Sequence, residues 1–496
     1  MKQAPKHFTR ILRLIATALF LSASSLIAGS SNDKNVLIFF IDDLRPELGC
    51  YGVDYIKSPN IDRLADSGVV FDRAYCQQAL CGPSRISMMS GMYPHTSGVM
   101  DLWTPLTKAI PNAMSLPRYF KERGYKTFSY GKVYHHTRDD TGSWTELMPK
   151  LTVKYANPAT LQGIKDRVAE GEKKGLSIDE IRILGKGPAV ESADVADNAY
   201  PDGQIADKAV ESLRKHKNER FFMCVGFPKP HLPFAVPKRY WDLYERDQFE
   251  VPKKVRPEGA PSLAFTVWGE LRGYRGMPKD GLLTDKLTRE LKHGYAASVS
   301  YMDAQVGKVM AELNRQGLRD NTIVVFWGDH GWKLGEYGTW CKHTNFELDA
   351  EVPLIISAPG FAKGERSGAL VEMIDIFPTL ATLTGGAIPE SCDGMSMEPI
   401  LKDPSKEFRP YALTMYPRGS VTGFSMNDGR WRYTEWIHKP TKEIKWRELY
   451  DHKDSSVSHI NEASNPEYAS LIASLSEQLN SRKLIETKPL RKDKKK

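Results

Sequence analysis

The apolar residues of this chain fall into short, nearly continuous runs with more polar, helix-like stretches between them. The first run is Asn35 to Ile41, NVLIFFI, and others occur at Arg220 to Phe227, Asn321 to Gly331 and Val352 to Gly360. Such runs are typical of strands that are buried on both faces of a parallel sheet. Because strands alternate with helical patterns, we predict a doubly wound, mostly parallel α/β sheet whose functional groups lie at the strand ends.

The intervening segments show helical patterns. Ser58 to Gly68 has a polar residue that can cap its start, apolar positions at helical spacing and a final glycine. A helix is also predicted in LPRYFKERG, before the strand YKTFSYGK, and a long one in ELKHGYAASVSYMDAQVGKVMAELNRQG. A short strand is expected near Val69 to Tyr75. Residues from about Asp140 to Ala206 are charged and weakly periodic, so we predict surface insertions there.

The pattern changes from about Arg409 onwards. YALTMYP, VTGFSMNDGRWRYTEWI and WRELYDHKD are short strand-like runs with tight turns, one of them at Asn427-Asp428-Gly429. The helix PEYASLIASLSEQLNSRK follows them. We therefore predict a catalytic domain over residues 31–405, a smaller antiparallel α+β subdomain over 406–486, and a basic disordered tail over 487–496.

The first thirty residues have the features of an export signal. Four basic residues and no acid precede the apolar run Leu14 to Ala28, which ends in the small residues GSS. This arrangement is typical of a secretory signal, and the run is short for a membrane span. We predict a signal peptide over residues 1–30 and an exported protein, periplasmic or secreted, without a stable membrane anchor. The alternative is an uncleaved anchor.

Composition and charge narrow the class of protein further. The 496 residues are 41% hydrophobic and 10% aromatic, which are globular values. The net charge is +8, of which four charges lie in the signal segment and four in the tail RKDKKK, so the body is neutral. A neutral body argues against nucleic-acid binding, and any preference for anionic substrates has to come from a local pocket.

The spacing of the six cysteines matches no familiar metal-binding or disulfide pattern. Their spacing matches neither a zinc site nor a dense set of disulfides, so the core is not expected to depend on bridges. The six are Cys50, Cys76, Cys81, Cys224, Cys341 and Cys392. If Cys81 is modified, an odd number remains, and at least one thiol is expected to stay free or to pair between chains.

Two acidic pairs follow predicted strands. Asp42-Asp43 ends the first strand, and Asp329-His330 ends the strand that begins at Asn321. Adjacent carboxylates at a strand end repel each other unless a cation compensates, and a hard divalent ion suits carboxylate oxygens. Either pair alone is compatible with an ordinary cap or turn. Two pairs at one edge of a sheet favour a metal site, with the histidine as the less usual ligand.

The stretch Cys81-Gly82-Pro83-Ser84-Arg85 poses the main chemical question. Pro83 suits the first turn of a helix, which places Cys81 at the positive end of the helix dipole. Arg85 lies four residues on and can share the same face. This setting is expected to lower the pKa of the thiol and to permit a thiolate nucleophile. A buried structural cysteine is the alternative that the residues alone favour.

Cys-x-Pro-Ser-Arg followed by a glycine-ended apolar run resembles the signature of the type I sulfatases, in which this cysteine is oxidised to formylglycine (3-oxoalanine). Further segments resemble the iduronate-2-sulfatase branch in order and approximate spacing, over nearly the whole chain after the signal segment. They are IDDLRPELGCYG, SPNIDRLA, QQALCGPSR, GKVYHH, PKPHLPF, GDHGWKLGEYGTWCKHTNF and ELYDH. The resemblance implies an alkaline phosphatase-like fold and a hydrolase of sulfuric esters.

The same resemblance implies a metal centre. One divalent ion, Ca2+, would be bound by five protein ligands, which are Asp42, Asp43, Asp329, His330 and Cys81 as formylglycine. Most sulfatases have Asp-Asn at the second pair. The Asp329-His330 found in this chain agrees with the iduronate-2-sulfatase branch.

The resemblance also implies a covalent mechanism. The aldehyde hydrates to a gem-diol, and one hydroxyl attacks sulfur as the sugar alkoxide leaves, which gives a covalent sulfate intermediate. The second hydroxyl, once deprotonated, collapses back to the aldehyde and expels sulfate. Arg85 and Lys132 would hold the formylglycine, and Lys132 and Lys342 would contact the sulfate oxygens.

Two histidines complete the implied set. His135 in GKVYHH would be the base for the gem-diol, with His136 as the alternative. His231 in PKPHLPF would protonate the leaving sugar oxygen.

The implied substrate is a sulfated polysaccharide or its oligosaccharides, with the 2-O-sulfate of a uronic acid as one possibility. The loop Thr96 to Thr107 and the region Asp140 to Ala206 match the branch poorly, which leaves marine-type polysaccharides open. A sulfatase-maturation enzyme acting on Cys81 is an implied partner, and the oligomeric state is not indicated.

Two alternative functions remain. One is a phosphomonoesterase or phosphodiesterase on the same fold, although no good candidates for a second metal site are found in the sequence. The other is an inactive carbohydrate-binding relative, which would have lost the nucleophile or the sulfate-binding cations that this chain keeps.

Overall fold

The computed structural model describes residues 34–135 and 140–482. The predicted signal peptide (1–30), the basic tail (487–496) and His136 lie outside the described residues. The strands are β1 (Asn35–Asp42), β2 (Val69–Tyr75), β3 (Lys126–Gly131), β4 (Glu146–Leu147), β5 (Val190–Ala193), β6 (Phe221–Pro230), β7 (Phe234–Pro237), β8 (Thr322–Gly328), β9 (Lys333–Leu334), β10 (Trp340–Cys341), β11 (Glu351–Ser357), β12 (Glu365–Glu372), β13 (Ala412–Arg418), β14 (Val421–Asn427), β15 (Trp431–His438) and β16 (Ile444–Asp451).

The helices lie between these strands and after the last of them. They are α1 (Pro59–Ala65), α2 (Cys81–Ser90), α3 (Pro94–Ser97), α4 (Leu106–Ala109), α5 (Leu116–Glu122), α6 (Pro158–Lys173), α7 (Ile178–Leu184), α8 (Pro201–Lys215), α9 (Lys238–Trp241), α10 (Gly269–Arg272), α11 (Asp285–Arg315), α12 (Glu347–Ala350), α13 (Ile376–Leu383), α14 (Glu398–Lys402) and α15 (Ala469–Ser481). Among the described residues, no helix has both the length and the apolar character needed to cross a bilayer.

The central sheet has eight strands in the order β12-β2-β11-β8-β1-β6-β3-β4. Every neighbouring pair is parallel except the two that involve β11, which runs antiparallel to β2 and to β8. The predicted doubly wound, mostly parallel α/β sheet is therefore confirmed. Among the predicted strands, Val69–Tyr75 has the bounds that the sequence pattern indicated.

The middle strand β1 shows why an uninterrupted apolar run was needed. All eight of its residues are buried. Leu37, Phe39 and Ile41 pack into a core that includes residues of α8 and α11 on one face of the sheet. Val36, Ile38 and Phe40 pack into a second core that includes residues of α2, α5 and α13. Since side chains alternate across a strand, covering both faces requires apolar residues at every position.

The parallel arrangement brings four strand ends to one edge of the sheet. Ile41 of β1 pairs with Gly328 of β8, so the residues that follow them in the chain leave the sheet side by side. On the other side of β1, β6 runs parallel and Asp42 pairs with Pro230. Next to β6, β3 ends at Gly131. The loops after β1, β8, β6 and β3 therefore meet at a single edge, as expected for a doubly wound sheet.

The C-terminal strands form a separate antiparallel sheet in the order β13-β14-β15-β16, with the turn at 428–430 joining β14 to β15. The helix α15 packs Leu475 and Leu479 into the core of this sheet. The Met415 N–H donates to the carbonyl of Gln77 at 2.9 Å, so β13 lies against the segment that leads to Cys81. The predicted antiparallel sheet and closing helix are confirmed, whereas the exact domain boundaries stay a prediction.

The prediction of surface insertions between Asp140 and Ala206 is wrong for the last part of that region. The helices α6 and α7 are largely exposed, as expected. Tyr200 and Asp202, however, are fully buried where α8 begins, and the Asp202 carboxylate accepts a hydrogen bond from the Lys229 N–H at 3.0 Å. In the sequence, a buried aspartate that accepts a backbone hydrogen bond cannot be told from a surface charge. For this reason α8, which covers the sheet, was not predicted.

Gly226 of β6 lies against the end of β3 and the loop that follows it, and we expect its replacement by alanine to destabilise the fold. A Cβ added at Gly226 would overlap the backbone carbonyl of Lys132. Overpacking of this kind costs about 1–3 kcal/mol, and here it also displaces the loop that carries Lys132. Urea unfolding should show the loss of stability. The matched control is Gly368→Ala in β12, where an added Cβ meets open space. Equal stability of the two variants would contradict this packing.

Candidate active site

The two acidic pairs lie together at the edge where β1 and β8 end. Asp42, Asp43, Asp329 and His330 are all fully buried. The Asp43 N–H donates to the Asp329 carboxylate at 3.0 Å. The His330 Nε2 lies 3.4 Å from an Asp43 oxygen and 3.6 Å from an Asp329 oxygen. Asp43 has a φ of 62°, a left-handed conformation that aspartate tolerates better than most residues. The sequence prediction that the pairs share one edge is confirmed.

Cys81 is the first residue of α2 and is buried against this cluster. Its Sγ lies 3.2 Å from His330 Nε2 and 3.9 Å from Lys132 Nζ. Burial raises the pKa of the Cys81 thiol well above its ordinary value, although Lys132 and Lys342 oppose the shift. The expected lowering of the thiol pKa is therefore wrong, because desolvation outweighs the nearby cations. The unmodified thiol is poorly suited to act as a thiolate nucleophile.

All six cysteines lie in the described residues and are free thiols, so the described core contains no bridges.

Arg85 is fully buried and contacts residues at the ends of three strands. Its Nε donates to the Asp329 carboxylate at 2.8 Å, and its Nη2 to that of Asp42 at 3.1 Å. Its Nη1 donates to the backbone carbonyls of Lys132 and Val133. The guanidinium therefore ties β1, β8 and the loop after β3 together, and its charge offsets two buried carboxylates.

Two lysines enter the cluster from different loops. Lys132, directly after β3, forms an ion pair with Asp42. Lys342, directly after β10, donates to both oxygens of Asp43 at 2.9 and 3.0 Å and lies over the Trp332 ring at 4.7 Å. Burial lowers the pKa of Lys342, but Asp43 and Glu270 more than compensate and raise it well above its ordinary value. Both lysines are therefore charged cations beside Cys81.

The structure adds Glu270, which the sequence analysis missed. It lies on the short helix α10, and its carboxylate contacts His231 Nε2 at 2.9 Å and Lys342 Nζ at 2.9 Å. His231, in the loop after β6, also lies 3.8 Å from Asp43. Burial lowers the pKa of His231, whereas Asp43 and Glu270 raise it, and the net shift is upward. No motif surrounds Glu270 in GELRGYRG, so only the fold reveals this contact.

His135 is half-buried in the loop after β3, three residues beyond Lys132. The next four residues, 136–139, which include His136, are outside the described part of the chain. The role of His135 as a base stays a prediction.

The donor set fits a hard divalent cation. Ligand atoms of Asp43, Cys81 and His330 lie within 4.8 Å of one another, and so do those of Asp42, Cys81 and Asp329. Burial raises the pKa of Asp42, but the surrounding cations, led by Lys132, hold it well below its ordinary value. Burial raises the pKa of Asp43, and its cationic neighbours do not fully offset this. Converging buried carboxylates are the arrangement that a divalent ion stabilises.

The site therefore combines two kinds of charge. Carboxylates that can bind a cation lie close to Cys81, and the ammonium groups of Lys132 and Lys342, which pair with two of them, can bind the oxygens of an anionic substrate. His231, with its raised pKa, can hold a proton for a leaving group.

Comparison with known families covers almost all of the described chain. The family model described as Sulfatase matches residues 34–387. A second model, described as N-sulphoglucosamine sulphohydrolase, C-terminal, matches residues 335–484. Human iduronate 2-sulfatase is 33% identical over 506 aligned residues, which cover 86% of this chain and 89% of the human protein.

Solved structures with the same fold have more distant sequences. The phosphonate monoester hydrolase of Silicibacter pomeroyi has a TM-score of 0.72 and 22% identity, and the match covers 91% of this chain and 95% of the hydrolase. A structure described as a 2-O GAG sulfatase has a TM-score of 0.69 and 21% identity, with 91% and 92% coverage. At these identities the likeness extends to the fold alone.

Proposed function

This chain belongs to the sulfatase family, whose members hydrolyse sulfuric esters, and from that premise we propose that it removes sulfate from a sulfated glycosaminoglycan-type saccharide. The observation that carries the proposal is the convergence of three carboxylates and two lysines on Cys81. We further propose that Cys81 works as formylglycine, made by a sulfatase-maturation enzyme.

A divalent cation, Ca2+, would be held by the oxygens of Asp42, Asp43 and Asp329, with His330 and residue 81 completing the set. When bound, it supplies polarisation of the nucleophile and of the sulfate oxygens. Arg85 contributes by orienting the carboxylates of Asp42 and Asp329, which it contacts directly. Its role is therefore positioning as much as charge.

The nucleophile requires more than a thiol. A hydrated aldehyde at position 81 would supply one hydroxyl to attack sulfur as the sugar alkoxide leaves, and a second whose deprotonation re-forms the aldehyde and releases the sulfate. Lys132 lies 3.9 Å from the Cys81 sulfur, and Lys342 is held in the same cluster by Asp43. Two fixed cations are therefore available where sulfate oxygens gain charge. His135 is proposed as the base that deprotonates the second hydroxyl.

The leaving sugar alkoxide needs a proton, and His231 is proposed to supply it. Its contacts with Glu270 and Asp43 favour the protonated imidazolium. Glu270 also contacts Lys342, so the same carboxylate positions the proposed acid, His231, and a proposed sulfate-binding cation.

The proposed substrate class follows from the relatives. The human relative is named for its action as an iduronate 2-sulfatase, and a structural neighbour is described as a 2-O GAG sulfatase. We therefore propose a sulfated saccharide, with the 2-O-sulfate of a uronic acid as the first candidate. Export to the periplasm or the medium is proposed on the N-terminal segment.

The decisive test is a panel of defined sulfated disaccharides, with free sulfate measured by ion chromatography. The protein is produced with a maturation enzyme, and phosphate mono- and diesters form the comparison set. We expect sulfate release from at least one disaccharide and much slower hydrolysis of the phosphate esters. Faster phosphate hydrolysis would instead support the phosphatase alternative, which shares this fold. Absence of turnover on every ester would support an inactive relative.

Replacing His231 with glutamine should selectively impair poor leaving groups. A general acid contributes roughly 10²–10⁴-fold, and a phenolate leaving group does not need it. We expect kcat/KM to fall by about that factor on a sugar sulfate, with a much smaller loss on 4-nitrophenyl sulfate. His438→Gln at the end of β15 is the control, because the His438 ring hydrogen-bonds Thr441 at an exposed position. Equal losses on both substrates would contradict the acid role.

A further inference from the structure

A cavity of about 450 Å³ opens beside the catalytic cluster. It is lined by the segment 265–270, by Cys341 and His343, and by Arg418 at the end of β13. A volume of this size is within the usual range for a small-molecule site. None of the sequence motifs singled out this cavity, because its walls come from three separate parts of the chain.

The cavity is continuous with the site described above. Glu270 lines it, and the carboxylate of Glu270 contacts His231 and Lys342 at 2.9 Å each. Cys341 and His343 are the chain neighbours of Lys342, which itself contacts Asp43. A sugar bound at the catalytic cluster would therefore extend into this cavity.

Arg418 is a cation in that cavity that forms no ion pair with the described residues. Its Nε donates to the Leu263 carbonyl at 3.2 Å, its Nη2 donates to the His343 carbonyl, and its guanidinium stacks on Tyr416 at 4.3 Å. These partners carry no formal charge, and within residues 34–135 and 140–482 no carboxylate lies within ion-pair distance of Arg418.

Three other arginines of the described chain are compensated by carboxylates. Arg85, Arg409 and Arg432 are buried more deeply, and each contacts at least one carboxylate. Arg418 is held in place by backbone carbonyls, and a guanidinium has five N–H donors, so donors remain for a ligand. A fixed guanidinium fork suits the planar oxygens of a carboxylate or the oxygens of a sulfate.

The remaining charges of the cavity are compensated. Glu270 is neutralised by its contacts with His231 and Lys342. Burial lowers the pKa of His343 to about 3, so this imidazole is neutral. Phe265, Val267 and Trp268 supply apolar surface to the lining. Arg418 is therefore the charged group that the described lining leaves for a ligand.

We propose that Arg418 binds a second anionic group of the substrate, a uronate carboxylate or a further sulfate, while the cluster around Cys81 holds the sulfate that is cleaved. This inference rests on the proposed function, since it assigns a specificity residue to the same site. It makes the enzyme selective for saccharides with two anionic groups over esters with one.

The test is direct binding in a Cys81→Ala background, where no turnover occurs. The probe is a disaccharide of a 2-O-sulfated uronic acid joined to N-acetylglucosamine, titrated calorimetrically in the presence of Ca2+. Adding Arg418→Gln should raise Kd by about 10- to 100-fold, since a hydrogen-bonded charge pair is lost. The matched control is Arg430→Gln, because Arg430 pairs with Asp451 on the surface of the same small sheet. This control should leave Kd unchanged.

Two further probes identify the anionic group. One is the same disaccharide with its carboxylate reduced to an alcohol, and the other carries an added 6-O-sulfate on the glucosamine. If the effect of Arg418→Gln disappears with the reduced probe, the carboxylate is the partner. If the effect appears only with the added sulfate, the sulfate is the partner. Unchanged Kd values for every probe, or a parent that binds none of them, would overturn the inference.

Turnover of 4-nitrophenyl sulfate distinguishes failure of the Arg418 proposal from failure of the proposed sulfatase function. This ester has one anionic group, so protein with Cys81 intact and Arg418→Gln should hydrolyse it at the parental rate. A parallel loss on this ester would mean that Arg418 acts structurally, and would refute the specificity role. Failure of the parent to release any sulfate would refute the proposed function itself.

Discussion

Cys81→Ala is expected to lower kcat for sulfate-ester hydrolysis by roughly 10⁴-fold or more, because it removes the nucleophile on which the other groups converge. Lys132, His330 and Lys342 remain in the variant but have no hydroxyl to position. Initial rates on 4-nitrophenyl sulfate, with protein made in a host that has a maturation enzyme, measure the effect.

The control for this experiment is Cys50→Ala. Cys50 is a half-buried free thiol whose backbone N–H contacts Asp62, and it takes no part in the cluster. Mass spectrometry of the peptide that contains Cys81 should show the loss of mass that accompanies replacement of a thiol by an aldehyde oxygen. Fully active protein with an unmodified Cys81 thiol would contradict the mechanism, and the raised thiol pKa gives the physical reason to expect otherwise.

Removal of the divalent cation is expected to abolish turnover and to lower stability. Three buried carboxylates meet at the site, and a bound cation offsets their mutual repulsion. Ca2+ at about 100 times its Kd should raise the free energy of unfolding by about 2.7 kcal/mol, provided that it binds only the folded protein. Thermal unfolding of chelator-treated protein, with and without added Ca2+, measures this shift independently of activity.

Asp43→Asn should remove the stabilisation by Ca2+ and lower kcat by on the order of 10³-fold, since metal stabilisation of transition-state charge is worth several kcal/mol. Asp207→Asn is the control, because Asp207 pairs with Lys308 on the surface. Chelated protein with full activity and no Ca2+-dependent change in unfolding would refute the metal centre. Restoration by Mg2+ instead of Ca2+ would correct the identity of the ion.

The sequence predictions agree best with the structure where a residue type or pattern fits only one kind of local structure. Residues 35–41 are apolar at every position because β1 is covered on both faces, so the pattern predicted a central strand. The glycine-containing turn after Asn427 predicted the antiparallel pairing of β14 with β15. Asp42 and Asp329 could be placed at one edge because parallel strands bring their carboxyl ends together.

The sequence predictions failed where burial changed the ionisation or the location expected for a polar side chain. A cysteine at a helix start indicated a lowered thiol pKa, but full burial raises it. Asp202 appeared to be a surface charge, yet it is buried and accepts a hydrogen bond from the Lys229 N–H. Desolvation depends on how the rest of the chain packs, and local patterns do not contain this information.

The sequence by itself determined the strand pattern, the sulfatase signature around Cys81 and the identity of the acidic pairs, because these depend on local periodicity and on short motifs. Only the tertiary structure decided that Glu270 contacts both His231 and Lys342, and that Arg418 lines a cavity with no carboxylate partner among the described residues. Both features arise from residues far apart in the chain. Their distances and burial are set by the packing of the two sheets, which no single segment specifies.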